Sequence, residues 1–237
     1  MRMPTTTVRR KRRFRVSDHA HAAGDSRLQH HFDNAEQQFE ASILGTWLFL
    51  VTEIMFFGGL FMAYILYRSK YPEAFHAGSH HLDVTLGTIN TTVLIGSSFT
   101  MVCGVYNAQK GRIRELVLSL FGTMILGSAF LVIKGIEYHH KWVDRLIPGP
   151  NFVWHGPEDP GNMELFFSIY FGMTGLHAFH MIIGVSLLGW IALQAIRGQY
   201  SSRWYTPVEC SGLYWHFVDL VWIFLFPLLY LLGRSGG

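Results

Sequence analysis

Acidic residues and histidines that could do chemistry stand inside apolar stretches of this chain. Glu53 lies in LFLVTEIMFFGG, and His177 and His180 are one helical turn apart in TGLHAFHMIIG. His216 and Asp219 share that spacing in YWHFVDLVW. Carboxylates and imidazoles can transfer protons or bind a metal. Within hydrocarbon such groups are costly, so each needs a polar partner or a specific role.

These residues do not make up a complete set of metal ligands. His177 and His180 could share one ion, but no further ligands stand on a matching helix face. We therefore interpret both as structural histidines that bond to neighbouring helices. Glu137 and His140 form one ExxH, whereas di-iron bundles need two such motifs and further carboxylates. The sequence thus predicts no metal site and no redox centre in the chain itself.

The remaining candidates are polar groups in the interior. We predict that His216 and Asp219 pair with each other, because a buried polar group needs a hydrogen-bond partner. Glu137 is a further structural candidate. Glu53 allows two interpretations that stay open here, an acid that handles protons or contacts lipid, and a neutral acid hydrogen-bonded inside the bundle. We expect the other histidines of the tail and loops to be solvated: His19, His21, His30, His31, His76, His80 and His81.

Five apolar runs must carry these residues. Half of the 237 residues are hydrophobic and only 15% are charged, against about 25% in a soluble domain. Each run is long enough to cross roughly 30 Å of hydrocarbon. The runs are Ile43–Tyr67, Val84–Ala108, Leu116–Ile136, Leu165–Ile196 and Ser211–Leu232. The sequence therefore predicts an all-α integral membrane bundle of five transmembrane helices over residues 41–237, with a hydrophilic connection at Glu137–Glu164.

Residues 1–40 form a polar tail that is rich in basic residues. We interpret this cluster as a topology signal rather than a nucleic-acid arm, and the first apolar run as a retained anchor rather than a signal peptide. With the N-terminus inside, thirteen Lys and Arg residues fall on the inner side and six on the outer side. The six outer residues are Arg68, Lys70, Lys134, Lys141, Arg145 and Arg234. The positive-inside rule then predicts a plasma (inner) membrane protein whose N-terminus is cytoplasmic and whose C-terminus is outside.

Small residues recur every fourth position on three of the runs. They are Thr100, Gly104 and Ala108 on the second run, Ser119, Thr123 and Gly127 on the third, and Ser168 and Gly172 on the fourth. Such faces let helix backbones approach closely in lipid. We expect the helices to pack along them.

Several stretches together resemble one family, subunit III of haem-copper cytochrome c oxidases, in its short five-helix bacterial form. They are HFDNAEQQFEASILGTWLFLVTEIMFFGGLF, NTTVLIGSSFT, FLVIKGIEY, FFSIYFGMTGLHAFHMIIG and ECSGLYWHFVDLVWIFLFPLLYLLG, in that order along the chain. The resemblance extends from about His31 to Gly233. Glu53 matches the family's buried helix carboxylate.

The resemblance implies an accessory subunit without a cofactor of its own, since haem and copper belong to the partner subunits. It further implies packing against subunit I, contact with subunit II and other subunits, and bound phospholipid. Its role would be to sustain proton uptake and to stabilise subunit I while oxygen is reduced to water. Two related assignments stay open, the matching subunit of a quinol oxidase and an accessory subunit of a nitric oxide reductase. An independent transporter is a third, although no inverted repeat is present.

Overall fold

The computed structural model describes residue 29, residues 32–202 and residues 204–233. The chain separates into two compact units, Met1–Glu40 and Ala41–Gly237. In the first unit, the backbone amide of Gln37 donates to Asn34 Oδ1, and the backbone amide of Asp33 donates to Gln37 Oε1. This reciprocal capping satisfies two amides that a helix start leaves without partners, so the first helix begins at Ala35. Residues 1–28 of the predicted tail, and its histidines at 19, 21, 30 and 31, lie outside the described residues.

Six α-helices and one π-helical segment make up the described structure. Their bounds are α1 Ala35–Lys70, α2 Pro72–His80, α3 Val84–Gln109, α4 Ile113–Val143, α5 Pro160–Ile196, α6 Thr206–Phe226 and a π segment Pro227–Leu231. Five of these helices, all except α2, are long and apolar enough to cross a membrane, α6 continuing through the π segment. The predicted all-α membrane fold with five spans is confirmed.

The connection predicted at Glu137–Glu164 is wrong in its extent. Helix α4 continues to Val143 and α5 begins at Pro160, so only residues 144–159 connect them. Polarity misled the prediction, because Glu137 and Lys141 look like loop residues but are buried side chains of α4. The short helix α2, which Pro72 begins, was not predicted at all.

Helices α3 and α4 meet along the predicted small residues. A Cβ added to Gly104 would stand 3.5 Å from Ser119 Cβ, and the hydroxyls of Thr100 and Thr123 are 2.8 Å apart. The two backbones are therefore close enough for van der Waals packing and one interhelical hydrogen bond. The same prediction fails on α5, where Ser168 and Gly172 are exposed.

One tryptophan of α6 fills the centre of the bundle. A Cβ on Gly127 of α4 would stand 2.6 Å from the Trp215 ring, and one on Gly184 of α5 would stand 3.0 Å from it. The indole Nε1 donates to Ser97 Oγ on α3 at 3.1 Å. Trp215 therefore holds α3, α4 and α5 together, and only glycine leaves room for its ring at both facing positions.

Helix α1 contacts the other helices through long side chains rather than through close backbones. Tyr64 OH donates to the Leu228 carbonyl at 2.8 Å, and Arg68 Nη2 donates to the Leu232 carbonyl at 2.7 Å. Phe57 contacts the rings of His180 and Phe217, at centroid distances of 5.4 and 6.3 Å. Because long side chains keep the backbone of α1 apart from the other helices, an apolar groove of about 580 Å³ remains between α1, α5 and α6. Residues such as Gly45, Trp190 and Cys210 line it.

Candidate functional site

A buried polar cluster lies between α4, α5 and the π segment. Lys134 Nζ donates to Glu137 Oε2 at 3.0 Å and to Tyr230 OH at 2.7 Å. Tyr230 OH and Tyr170 OH donate to the other carboxylate oxygen, Glu137 Oε1, at 2.6 and 2.8 Å. We call these four residues the closed cluster. Each is at least 97% buried, and both oxygens of Glu137 accept hydrogen bonds.

Aromatic rings enclose the ammonium group of this cluster. Lys134 Nζ stands 4.9 Å from the Trp222 ring centroid and 5.3 Å from those of Tyr170 and Tyr230. A cation so placed interacts with the ring quadrupoles, which offset part of its lost hydration. The closed cluster therefore joins three elements by neutralised, satisfied contacts. It has no side chain left to act on a substrate.

Glu53 lies halfway along α1 and faces α5. Its Oε2 is 3.2 Å from His180 Nε2, an ion-pair distance, although the two atoms are not aligned for a hydrogen bond. His180 Nδ1 is 2.9 Å from the Leu176 carbonyl of its own helix. The Glu53 side chain is 18% exposed. This acid is therefore neither enclosed in the bundle nor fully open, and it stands where α1 borders α5.

His177 is completely buried, one turn from His180, and its ring faces a different set of neighbours. Its centroid is 5.3 Å from Phe130 and 5.2 Å from Trp222. Neither ring nitrogen has a hydrogen-bond partner. The predicted bond to a neighbouring helix is therefore wrong for His177, whereas His180 does approach another helix through Glu53.

His216 and Asp219 do not pair as predicted. His216 Nδ1 is 2.7 Å from Ser98 Oγ of α3, and the same Ser98 hydroxyl also lies beside the carboxylate of Asp219. All three side chains line one cavity of about 250 Å³ between α3 and α6. We call them the open set. The pairing failed because an intrahelical i, i+3 contact competes with a hydroxyl on the next helix, which spacing alone does not show.

No group of three or more His, Cys, Asp or Glu residues that could hold a metal occurs in the part of the chain that the structure describes. The ExxH residues illustrate why spacing is insufficient. Glu137 is buried and bonded to Lys134, whereas His140 is exposed at the surface of the same helix. His76 and His80 are also exposed, on α2.

Sequence reasoning missed Lys134, Tyr170, Tyr230 and Ser98. Lys134 was assigned to an outer segment because a lysine near the end of an apolar run resembles an interfacial residue. A signal was available, since Lys134 and Glu137 have the i, i+3 spacing of a helical ion pair. No such signal marks Tyr170 and Tyr230, because tyrosine is as common at membrane surfaces as in protein interiors.

Comparison with known proteins identifies the family. A family model described as cytochrome c oxidase subunit III matches residues 162–234, which include nearly all of α5, the whole of α6 and the π segment. A cytochrome c oxidase subunit 3 of Thermostichus vulcanus is 32% identical over 85% of this chain and 92% of its own length. The chain belongs to the cytochrome c oxidase subunit III family. As a member of this family it is an accessory subunit of a haem-copper terminal oxidase.

Relatives within the family carry two different names. A cytochrome c oxidase subunit 3 of Corynebacterium diphtheriae is 33% identical over 79% of this chain and 86% of its own length. A quinol oxidase subunit 3 of Bacillus spizizenii is 28% identical over 88% of this chain and 98% of its own length. Both kinds of complex therefore have subunits similar to this chain.

Proposed function

We propose that the chain serves a cytochrome c oxidase by packing against subunit I and sustaining proton uptake there during oxygen reduction. The observation that carries this proposal is the position of Glu53. It is an acid halfway along a membrane-spanning helix, partly exposed, and beside an imidazole. An ionisable group at such a depth is rare and commonly lies on a proton path or contacts protein. The metals of the reaction would be held by partner subunits.

The surface around Glu53 supports contact with a partner or with lipid. Only 17% of the most apolar stretch of α1 is buried, and Val51, Ile54 and Met55 beside Glu53 are exposed. A bare helix face of this kind fits either acyl chains or another transmembrane helix. We assign this face of α1 to subunit I, with Glu53 at its edge.

The groove between α1, α5 and α6 supports the proposed phospholipid binding. Its walls are mostly apolar, and it includes Phe49, Ile183 and Leu187. Its residues come from the N-terminal halves of α1 and α6 and the C-terminal half of α5. With the N-terminus inside, these parts lie in the inner leaflet. A phospholipid would place an acyl chain in this groove and its headgroup near Ser42.

The orientation is part of this proposal. Lys134 was counted among six outer basic residues, but its side chain is buried and ion-paired to Glu137. Only exposed cations near the helix ends contribute to the positive-inside bias. Lys141 is buried as well, so without both lysines the bias becomes thirteen to four, which favours a cytoplasmic N-terminus more strongly. We propose the plasma membrane as the location.

The electron donor separates the main proposal from the quinol oxidase alternative. Native purification through a tag on this chain should bring down a complex with haem and copper. Oxygen reduction from reduced cytochrome c then supports the main proposal, whereas reduction from quinol alone supports the alternative. Nitric oxide reduction in place of oxygen reduction would identify the third class. A wild-type chain that purifies without any haem protein would contradict the proposed function.

Glu53→Gln tests the role of this acid, because it keeps the shape and removes the titratable proton. We expect normal haem content and near-normal initial oxygen reduction, followed by faster loss of activity in sustained turnover, most clearly at high pH. Glu53→Ala should act likewise and also weaken packing. Thr52→Val, at the exposed neighbouring position, is the control and should behave as wild type. Equal turnover lifetimes of Gln variant and wild type at every pH would show a structural role only.

A further inference from the structure

Three membrane-spanning helices end in the same way, but α4 differs from the other two in one residue. Two residues after α3 and α5 stand Gly111 and Gly198, whose φ angles are +70° and +71°. At the matching position after α4 stands Arg145, with a φ of +56°. It is the only residue other than glycine with a positive φ in the described part of the chain. Glycine is the usual residue at such a helix end, because a side chain makes the left-handed backbone unfavourable.

Hydrogen bonds hold Arg145 in this conformation. Its amide donates to the Trp142 carbonyl at 3.1 Å, and the Leu146 amide donates to the Lys141 carbonyl at 2.9 Å. The Arg145 carbonyl accepts from the Val153 amide at 3.1 Å. Glycine would make the same backbone bonds with less strain. Since strained residues of this kind cluster at ligand sites, we looked for a use of the arginine side chain.

The Arg145 side chain is available to a ligand. Its guanidinium forms no hydrogen bond or ion pair with another residue of the described chain. It lines a cavity of about 570 Å³, whose wall also includes Trp142, Val143 and Asn151. Arg145 is the one charged residue of this wall, and no carboxylate lines it. A guanidinium in such a wall favours an anion, and its planar set of donors matches a phosphate group.

The connection that forms the far wall of this cavity is fixed to the bundle. The Gly149 amide donates to Glu164 Oε1 of α5 at 2.9 Å, and the Phe152 amide donates to the Gly149 carbonyl at 3.0 Å. Pro148 and Pro150 restrict the backbone on either side of Gly149. The shape of the cavity is therefore set before any ligand arrives.

The position of the cavity along α4 indicates where a phosphate would come from. Helix α4 has 31 residues, so it is about 46 Å long. A bilayer with its headgroup regions is about 40–45 Å thick, so the end of α4 lies at the level of the headgroups. Trp142 and Val143 are 69% and 64% exposed, and tryptophan is enriched at that level. A phosphate at this depth belongs to a phospholipid.

We propose that Arg145, Trp142 and Asn151 form a binding site for the headgroup of an anionic phospholipid such as phosphatidylglycerol. The guanidinium donates hydrogen bonds to the phosphate, and the Asn151 side-chain amide donates to another headgroup oxygen. An acyl chain passes along the exposed side of Val143. A headgroup with an ammonium group finds no carboxylate in this wall, so the site prefers a net negative lipid.

This site is separate from the groove between α1, α5 and α6. In the proposed orientation it belongs to the outer leaflet, whereas the groove belongs to the inner leaflet. The proposal goes beyond the proposed function and does not depend on which oxidase the chain serves.

Photolabelling tests the site on the full chain, purified with the subunits that accompany it. The probe is phosphatidylglycerol with a diazirine in its headgroup, and peptide mass spectrometry locates the adducts. We expect label within residues 142–151. Unlabelled phosphatidylglycerol should compete about fivefold better than phosphatidylcholine, the factor that one cation contributes near an anionic lipid. Absence of label there, equal competition by the two lipids, or equally good competition by inorganic phosphate would overturn the proposal.

A matched pair of variants tests the charge. Arg145→Gln removes the cation and keeps a long side chain, so the preference for phosphatidylglycerol should fall to about one. Lys70→Gln is the control, because Lys70 is an exposed cation at the end of α1, on the same side of the membrane, and does not line the cavity. This control should keep the fivefold preference. Equal loss in both variants would show a response to general surface charge and would contradict the site.

Arg145→Gly separates binding from folding. Glycine adopts a positive φ without strain, so the variant should melt at or above the temperature of wild type in lipid-free detergent. It should nevertheless lose the preference for phosphatidylglycerol. A clearly lower melting temperature would show that the arginine supports the fold instead, and a preference that survives would show that the guanidinium does not bind the lipid. Either result would overturn the assignment.

Discussion

The closed cluster and the open set each contain a buried carboxylate in the same bundle, but the two carboxylates differ in their hydrogen-bond partners. Glu137 receives hydrogen bonds from Lys134, Tyr170 and Tyr230, which span two helices and the π segment. Asp219 is buried almost as fully, but beside it lies only the Ser98 hydroxyl, which also contacts His216. The first carboxylate therefore joins several elements through charged contacts, whereas the second has one neutral neighbour. Breaking one partner of the first set should damage the chain more than changing the second.

The largest effect is expected from Lys134→Met. It removes the ammonium group and leaves Glu137 buried with an uncompensated charge, a change that costs about 3–5 kcal/mol for a buried pair. Thermal unfolding of the chain in detergent, followed by circular dichroism, measures the loss. The double variant Lys134→Met with Glu137→Gln should recover much of the stability, because no charge remains. A single variant that melts with wild type would show that the pair is dispensable.

A smaller loss is expected from Tyr230→Phe. The ring and its packing stay, but Glu137 Oε1 loses a donor at 2.6 Å and Lys134 loses an acceptor at 2.7 Å. Hydrogen bonds to charged groups contribute about 1.5–3 kcal/mol each, so we expect destabilisation of that order. Tyr106→Phe, on an exposed residue of α3, is the matched control for the same melting experiment. Equal melting of the two variants would contradict the hydrogen-bond network of the closed cluster.

Asp219→Leu should change the stability of the chain very little when it is expressed without partner subunits. Only the contact with the neutral Ser98 hydroxyl is lost, so the free energy of unfolding should fall by no more than about 1.5 kcal/mol. The melting temperature relative to Lys134→Met measures the contrast between the two sets. A loss as large as that of Lys134→Met would show that the two carboxylates contribute equally to the stability of the chain.

The smallest effect is expected at His81, a polar residue beyond the membrane spans and near water. Burial, and then the positive charge of Lys141, lower the pKa of His81 below its ordinary value of 6.5. The folded turn thus favours neutral histidine. Its contribution to stability is complete above pH 6.5 and falls as the pH drops below that value. Hydrogen exchange of the Leu82 amide, corrected for intrinsic rates, should show weaker protection at pH 5.5 than at pH 7.5. His81→Gln should remove this pH dependence.

The sequence predicted the helices well because hydrophobic length is what a bilayer selects. The packing of α3 against α4 was also predicted, since Gly104 and Ser119 belong to rows of small residues at regular spacings. The sequence did not show which polar side chains form hydrogen bonds with one another. Whether His216 bonds to Asp219 or to Ser98, and whether His177 bonds to anything, depends on helix rotation and crossing. Small-residue spacing on α5 failed for the same reason, because Ser168 and Gly172 rotate towards the surface.

The π segment at the end of α6 gives the C-terminal end of the chain a particular sensitivity to length. Its Leu232 amide bonds to the Pro227 carbonyl, five residues back, so one residue more than usual is wound into that turn. In an α-helix each residue turns the chain by about 100°. Deleting a single residue between Pro227 and Tyr230 would therefore rotate Tyr230 away from Lys134 rather than only shorten the helix. This turn therefore sets the rotational position of the following side chains around the helix axis, and not the hydrophobicity of the helix.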